Sequence, residues 1–208
     1  MGEHLKLDRL YNARNLDELR AAYDAWADDY DGQIFDDYGF RGHELVVASV
    51  REHLPDDARI LDAGAGSGML GVAARAAGFT HLDAMDLSVG MLEKARARGV
   101  YGDVRTGVLG EPLDYETDSY AAVLSSGVFT TGHAPPESFR ELVRIVKRGG
   151  LIAFTLRHDQ TPEGFHEAMD SLVAEGRWEL VEASDPFQSM PHGEPDVFHR
   201  IWVFRVLG

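Results

Sequence analysis

The sequence predicts an α/β fold with a mostly parallel, seven-stranded sheet, an antiparallel hairpin strand at its C-terminal end and a helical cap at its N-terminal end. From residue 55 onward, short apolar runs alternate with helical segments. Two apolar runs near the C-terminus are separated only by a loop rich in proline and glycine. The alternation predicts parallel strands with helices on both faces, and the loop forces one strand to run antiparallel.

The length of 208 residues is typical of one domain, so we predict a single domain over residues 1–208. Within it, residues 1–54 form the predicted cap and residues 55–208 the α/β core. Apolar and aromatic residues recur at helical spacing from residue 15 to residue 30, and Tyr23, Trp26 and Tyr30 fall on one helix face. This face can be a packed surface or a lid over a ligand.

The cap helix is expected to end at Asp31-Gly32, a pair typical of turns. Asp24, Asp28 and Asp29 fall on the other side of this helix and are expected to face solvent. A second apolar run follows at residues 45–50.

The core elements follow from the apolar runs and the helical spacing between them. Gly149-Gly150 is expected to end the last predicted helix before the fifth strand. Predicted strands cover residues 59–63, 81–86, 103–109, 120–125, 151–156, 178–182 and 199–206, and predicted helices cover 68–77, 89–98 and 136–147.

The composition narrows the classes of partner. A formal net charge of −15 repels nucleic acid and anionic membranes, so we expect neither as a partner. The densest basic stretch, residues 94–98, has helical spacing and is interpreted as a solvated face. The absence of cysteine excludes disulfides and cysteine-bound metal, and no metal site is expected. With no apolar leader or membrane-length segment, we expect a cytoplasmic protein, either monomer or homodimer.

The most informative stretch runs from Ile60 to Gly68, with the sequence ILDAGAGSG. It is an apolar strand, a turn of alternating glycines and the start of a helix. Glycine permits a tight turn and a close approach of ligand to backbone. Such turns occur in both dinucleotide and nucleoside binders, so the glycines alone leave the ligand class open.

Two acids make the pattern more specific. Asp62 ends the first predicted strand, where a carboxylate favours a cationic ligand over a pyrophosphate. Asp86 ends the second strand about twenty residues after the first glycine, the position from which a carboxylate accepts hydrogen bonds from ribose hydroxyls. The structural alternative is that each acid is the N-cap of the helix that follows it. We favour ligand contact, because both acids flank one glycine turn.

At this point the chain resembles the class I S-adenosylmethionine-dependent methyltransferases, which have a Rossmann-like fold. The resemblance rests on the segment from Asp62 to Gly68, the segment from Asp86 to Ala95, and the segment from Leu142 to Leu151. The aromatic segment from Tyr23 to Asp31 is similar to the N-terminal signature of members that act on small molecules. Together with residues 123–133, the pattern is most similar to methyltransferase-like proteins of the Williams–Beuren region type.

The resemblance implies S-adenosylmethionine as the cofactor and a small molecule as the methyl acceptor. Asp62 would hold the methionine amino group directly or through water, and Asp86 would bind the ribose. Val108 stands where many relatives have an aspartate that reads the adenine amino group. The other implied cofactor-site residues are the cap aromatics Tyr23, Trp26 and Tyr30, the turn residues Gly64, Ala65, Gly66 and Gly68, and Leu87, Met91, Leu109 and Ser125.

Methyl transfer from a sulfonium is an in-line displacement in which the protein mainly aligns the reactants and excludes water. An acceptor that must lose a proton would benefit from a general base, and histidine is the natural candidate. His133 follows the fourth strand at the ligand-binding edge of the sheet and is the first choice, ahead of His158 and His192. Each of them can equally be an ordinary loop residue.

Two alternatives remain open from the sequence. A nicotinamide-dependent oxidoreductase could use the same glycine turn, although the terminal hairpin and Asp62 argue against it. A regulatory module could keep the cofactor pocket without turnover.

Overall fold

The predicted alternation of strands and helices is present along the chain. The computed structural model describes Leu10 and residues 13–208. Its strands are β1 (Arg59–Ala63), β2 (His81–Asp86), β3 (Asp103–Thr106), β4 (Tyr120–Phe129), β5 (Val146–Arg157), β6 (Trp178–Ala183), β7 (Phe187–Gln188) and β8 (Phe198–Val206). Its helices are α1 (Leu16–Trp26), α2 (Gly42–Val50), α3 (Met69–Ala76), α4 (Val89–Ala97), α5 (Ser138–Ile145) and α6 (Phe165–Ala174), and a π-helical segment covers Gly32–Asp37.

One sheet runs through the molecule in the order β3-β2-β1-β4-β5-β8-β6, with the two-residue β7 paired to β8. Strands β1 to β5 pair in parallel, and β8 runs antiparallel to both β5 and β6. The predicted mostly parallel sheet with an antiparallel C-terminal hairpin is therefore confirmed. The strand order reverses between β1 and β4, and sheets of this type bind ligands at the carboxyl ends of the strands beside such a reversal.

Apolar side chains cover both faces of the sheet. One face packs on α5 and α6, where Trp178 stacks on Phe204 with ring centroids 4.1 Å apart. The other face packs on α2 and α3, and Val46 and Val50 of α2 are fully buried there. Helix α2 therefore belongs to the helix layer of the sheet. The part of the predicted cap that lies above the sheet edge consists of α1 and the π-helical segment, and residues 1–9, 11 and 12 lie outside the described residues.

The structure corrects the predicted end of the cap helix. Helix α1 ends at Trp26, and Asp31-Gly32 leads into the π-helical segment instead of breaking the helix. In that segment, Ile34 is buried among the cap aromatics. Burial of this side chain accounts for the continued helical path across a turn-prone pair.

Strand pairing explains the other corrected boundaries. Strand β3 ends at Thr106 because its partner β2 ends at Asp86, so residues 107–109 lie in a loop. Strand β5 already begins at Val146, which pairs with Tyr120, and Gly149-Gly150 forms an irregularity inside the strand rather than a helix stop. Helix α6 and strand β7 were not predicted. Among the residues that the structure describes, no helix is long and apolar enough to span a bilayer.

Candidate functional site

The glycine turn joins β1 to α3 at the edge where the strand order reverses. Gly64, Gly66 and Gly68 all have positive φ, at 78°, 52° and 90°, a region that side chains with a Cβ rarely adopt. A Cβ on Gly64 would lie 2.4 Å from a methyl carbon of Val128, whereas a Cβ on Gly66 would meet nothing within 4 Å. The turn thus packs tightly on β4 at Gly64 and is open at Gly66.

Asp86 holds this turn from the end of β2. Its Oδ2 accepts a hydrogen bond from the Gly66 amide at 2.8 Å, and its Oδ1 accepts one from the Ser88 amide at 2.9 Å. Burial raises the pKa of the Asp86 carboxyl. The N-cap of α4 is Ser88, whose hydroxyl oxygen accepts from the Met91 amide at 3.0 Å, so the capping alternative for Asp86 is wrong.

Asp62 lies behind the turn rather than on an open surface. Tyr101 donates its hydroxyl proton to Asp62 Oδ2 at 2.6 Å, and the Tyr101 oxygen accepts from the Gly71 amide at 3.0 Å. Burial raises the pKa of Asp62 to about 7. Helix α3 has Gly68 as its N-cap and no side-chain cap, so Asp62 does not cap it either. No sequence pattern marks Tyr101 as a partner of this acid, which it reaches from the loop before β3.

A cavity of about 670 Å³, open to solvent, lies between the turn and the cap. Ten of the residues predicted for the site line it: Tyr23, Tyr30, Gly64, Gly66, Asp86, Leu87, Met91, Val108, Leu109 and His133. The other described residues that line it were not predicted for the site: Leu16, Leu19, Met85, Gly107, Ser126, Gly127, Val128 and Ala134.

Five predicted residues do not line this cavity. Trp26 lines a neighbouring cavity, and Asp62, Ala65, Gly68 and Ser125 lie behind the wall. Ser125 is buried and donates to the Ala63 carbonyl at 2.7 Å. The next residues of β4, 126–128, line the cavity instead. They reach it because the strand continues past its predicted end at residue 125.

The neighbouring cavity, of about 690 Å³, shares a wall with the first. It lies under the cap aromatics, and its lining combines apolar and aromatic side chains with polar groups from Ser126, Thr130, His133, Arg157 and His199. Nδ1 of His199 is hydrogen-bonded to the Ser189 hydroxyl at 2.8 Å. Burial lowers the pKa of His199 to about 4. The residues common to both cavities are Tyr23, Tyr30, Ser126, Gly127 and His133.

His133 stands at the shared wall in a defined orientation. Its Nδ1 lies 3.1 Å from the Thr131 carbonyl oxygen, and its Nε2 lies 2.9 Å from the Tyr23 hydroxyl. A carbonyl oxygen only accepts, so Nδ1 carries the proton of the neutral ring and Nε2 accepts from Tyr23. Burial lowers the pKa of His133, which favours this neutral form. His158 and His192 line neither cavity.

Polar contacts hold the cap against α4 beside the first cavity. Asp24 accepts from the Ser88 hydroxyl at 2.5 Å and from the Gly90 amide at 2.9 Å. Asp28 pairs with Lys94 at 2.6 Å. Asp24, Asp28 and Asp29 are exposed, as expected for the solvated side of the helix, and two of them also contact α4. Arg96 and Arg98 are likewise exposed, as expected for residues 94–98.

The charged side chain that lines the first cavity is acidic. Asp86 is its one carboxylate, and no lysine or arginine is among the described residues that line it. Such a wall favours a cationic ligand and gives a diphosphate no counter-charge. Ser126 adds a buried hydroxyl oxygen for which the described residues provide no hydrogen-bond partner.

Known proteins with similar sequences include methyltransferases, in agreement with a cavity that suits a cationic ligand without phosphate. Residues 61–154 match the family described as "Methyltransferase domain". Human methyltransferase-like protein 27 is 36% identical over an alignment of 169 residues that covers 77% of this chain and 68% of that protein.

Solved structures show the same fold. Magnesium protoporphyrin IX methyltransferase from Synechocystis, solved with S-adenosylmethionine bound, has a TM-score of 0.70 at 17% identity and covers 95% of this chain and 99% of its own. The putative methyltransferase solved in complex with the Haloferax volcanii activator Trm112 has a TM-score of 0.68 at 18% identity, with 91% and 97% covered. The chain belongs to the class I S-adenosylmethionine-dependent methyltransferases.

Proposed function

We propose that this methyltransferase acts on a small-molecule acceptor by in-line displacement. The observation that carries the proposal is the pair of adjoining cavities beneath the cap, which share a wall at the carboxyl edge of the sheet. One cavity would take the cofactor and the other the acceptor. The shared wall is where the two ligands would meet.

The first cavity fits S-adenosylmethionine by its chemistry. The cofactor carries an ammonium and a sulfonium and no phosphate, which suits a wall with one carboxylate and no lysine or arginine among the described residues that line it. Each oxygen of Asp86 holds one backbone amide and retains capacity to accept a ribose hydroxyl. The open face of Gly66 gives the ligand access to the backbone of the turn.

The apolar part of the same cavity suits an adenine ring. Leu87, Met91, Val108 and Leu109 supply this surface. With Val108 in place of an aspartate, we propose that backbone groups of the loop after β3 read the adenine amino group. Asp62 would act on the methionine end from behind the turn, through water or through the turn itself.

When bound, the cofactor supplies the methyl group and its own leaving group. The chain's part is to align an acceptor against that methyl group and to keep water out. The cap aromatics cover the shared wall, and the ring of Trp26 is held by a hydrogen bond from its Nε1 to Gln33 at 2.6 Å. This rigid apolar cover would desolvate the reacting atoms.

Calorimetric titration with S-adenosylmethionine tests the cofactor site. Wild type should bind with micromolar affinity, and Asp86→Ala should bind at least about 100-fold more weakly, because it loses charge-assisted hydrogen bonds to the ribose. Asp86→Asn keeps the shape of the side chain, and its affinity for S-adenosylmethionine should lie between those of wild type and Asp86→Ala. Glu93→Ala, an exposed change on α4, is the matched control and should bind like wild type.

The two alternatives predict different results. A nicotinamide-dependent oxidoreductase would show a rise in melting temperature with NADH rather than with S-adenosylmethionine. A regulatory module would bind the cofactor but form no S-adenosylhomocysteine when incubated with a metabolite extract. Formation of S-adenosylhomocysteine and a labelled small product supports the proposal.

Five expectations from the sequence stay predictions. They are the Williams–Beuren subtype, the single domain, the cytoplasmic location, the exclusion of nucleic acid and the choice between monomer and homodimer.

A further inference from the structure

The Tyr23–His133 pair occupies the wall that the two cavities share. Both residues line both cavities, and their side chains are joined by a 2.9 Å hydrogen bond between α1 of the cap and the loop after β4. Their rings also meet edge to face, with centroids 5.8 Å apart. The pair is therefore held at the boundary between the two cavities.

We propose that Tyr23 and His133 act together as the proton acceptor of the reaction, and that the methyl acceptor is an O–H or N–H nucleophile on an apolar or aromatic body. This inference rests on the proposed function. The Tyr23 hydroxyl faces the acceptor and passes its own proton to Nε2 of His133. The Thr131 carbonyl fixes the ring by accepting from Nδ1, which leaves Nε2 as the basic atom.

The step balances in atoms and charge. The acceptor's O–H or N–H bond breaks, and its proton moves to the Tyr23 oxygen while the Tyr23 proton moves to Nε2. The electron pair left on the acceptor forms the bond to the methyl carbon. The electron pair of the broken carbon–sulfur bond stays on sulfur. The positive charge of the sulfonium is thereby replaced by that of an imidazolium, which later loses its proton to solvent.

The second cavity indicates the acceptor's body. Trp26, Ile34, Phe40 and Met190 give it apolar and aromatic walls, which suit a flat or aliphatic skeleton. Arg157, its one arginine among the described lining residues, is paired with Asp159 at 2.8 Å. An acceptor without a strong charge of its own is therefore the best match.

The groups around His133 favour a neutral ring before the reaction. Burial lowers the pKa of both His133 and His199, and the charge of Arg157 is countered by Asp159. Asp86 faces the cofactor side of the wall. The titratable and charged groups that line the two cavities around His133 are Tyr23, Tyr30, Asp86, Arg157 and His199.

Nuclear magnetic resonance of the full chain with ¹⁵N-labelled histidine tests the pair without any acceptor. We expect His133 to carry its proton on Nδ1 at pH 7, and Tyr23→Phe to shift the Nε2 resonance while Nδ1 stays protonated. A proton on Nε2, or an imidazolium at pH 7, would overturn the proposal.

Methyl transfer tests the role in turnover. Wild type is incubated with ¹³C-methyl S-adenosylmethionine and a metabolite extract, and the methyl carbon shift of the product shows which atom was methylated. We expect an O-methyl or N-methyl product, formed at least about 100-fold more slowly by Tyr23→Phe and by His133→Gln. Cofactor affinity should stay within a few-fold of wild type in both. Tyr115→Phe and His53→Gln are the matched controls, with unchanged rates.

The remaining outcomes are also decisive. An S-methyl or C-methyl product, or full activity in Tyr23→Phe, contradicts the proton-accepting pair while leaving the methyltransferase intact. Cofactor binding without any methylated product contradicts the proposed function, and the histidine resonances then decide the geometry of the pair separately.

Discussion

Ser88 donates its hydroxyl proton to Asp24 across 2.5 Å, so the residue that caps α4 also anchors the cap helix α1. The same Ser88 oxygen accepts from the Met91 amide, and Asp24 accepts in addition from Gly90. The start of α4 lies directly after Asp86. The cap is thus fastened to the element that carries the acid proposed to bind the ribose.

Asp24→Ala should loosen the cap over the cofactor cavity. Two hydrogen bonds to a carboxylate are lost at a partly exposed position, so we expect the free energy of unfolding to fall by about 1 kcal/mol. Affinity for S-adenosylmethionine should fall by about tenfold, because the cap walls of the site must then be ordered on binding. Chemical denaturation and calorimetry measure the two effects.

Asp36→Ala, in the π-helical segment, is the matched control for this prediction. Asp36 is exposed, so its replacement should change neither quantity beyond error. Equal losses of affinity in both variants would mean that acidity of the cap, rather than its anchoring, affects binding.

Much of the core was predictable because it depends on local patterns. The bounds of β1 and β2 agree with the predicted ranges, since a local signal follows each apolar run: the glycine turn after β1 and the capping residue Ser88 after β2. Boundaries set by a partner strand were not predictable in the same way. Val108 and Leu109 were expected in a strand, but β3 ends where β2 ends.

Site residues were predictable where their position depends on one strand end or one turn. Asp86, Gly64 and Gly66 lie on the cavity wall, as expected from strand ends and turn chemistry. Contacts between distant segments leave no such pattern. Tyr101 approaches Asp62 from 39 residues away, and the bond between Tyr23 and His133 spans 110 residues.

Gly71→Ala should destabilise the protein by about 1 to 3 kcal/mol. A Cβ at this position would lie 2.2 Å from Cζ of Tyr101, so the ring must move and its hydrogen bond to Asp62 must lengthen or break. Thermal and chemical unfolding measure the loss. At Gly32, a Cβ meets nothing within 4 Å, and Gly32→Ala should be neutral or slightly stabilising. Equal free energies of unfolding for the two variants would contradict the tight packing of Tyr101 against Gly71 of α3.

The rate of methyl transfer should depend on the protonation of His133. The neutral ring is the form that accepts a proton, so the rate should fall as the pH drops below the pKa of His133. Burial lowers that pKa from its usual value of about 6.5. Activity should therefore persist to more acidic pH than for an exposed histidine base, as a profile of kcat/KM against pH would show. A decline beginning above pH 7 would contradict a buried neutral base.

Asp62 should make folding and cofactor binding depend on pH in opposite senses. Burial raises its pKa in the folded protein to about 7, against about 3.9 in an unfolded chain. The folded state holds the proton more tightly, so the stability from this group is complete below pH 4 and declines as the pH rises to about 7, by a few kcal/mol in all. Asp62→Asn keeps an oxygen for Tyr101 and should remove most of this decline in urea unfolding.

Binding of a cation should reverse the preference of this carboxyl, because a nearby positive charge stabilises its ionised form. Cofactor binding at pH 6.5 should then release a proton, and affinity should rise with pH up to about 7. Calorimetry in two buffers that differ in ionisation enthalpy counts the protons, and Asp62→Asn should release fewer than wild type. Equal proton counts in the two proteins would show that Asp62 serves only the packing of Tyr101 and has no part in holding the ligand.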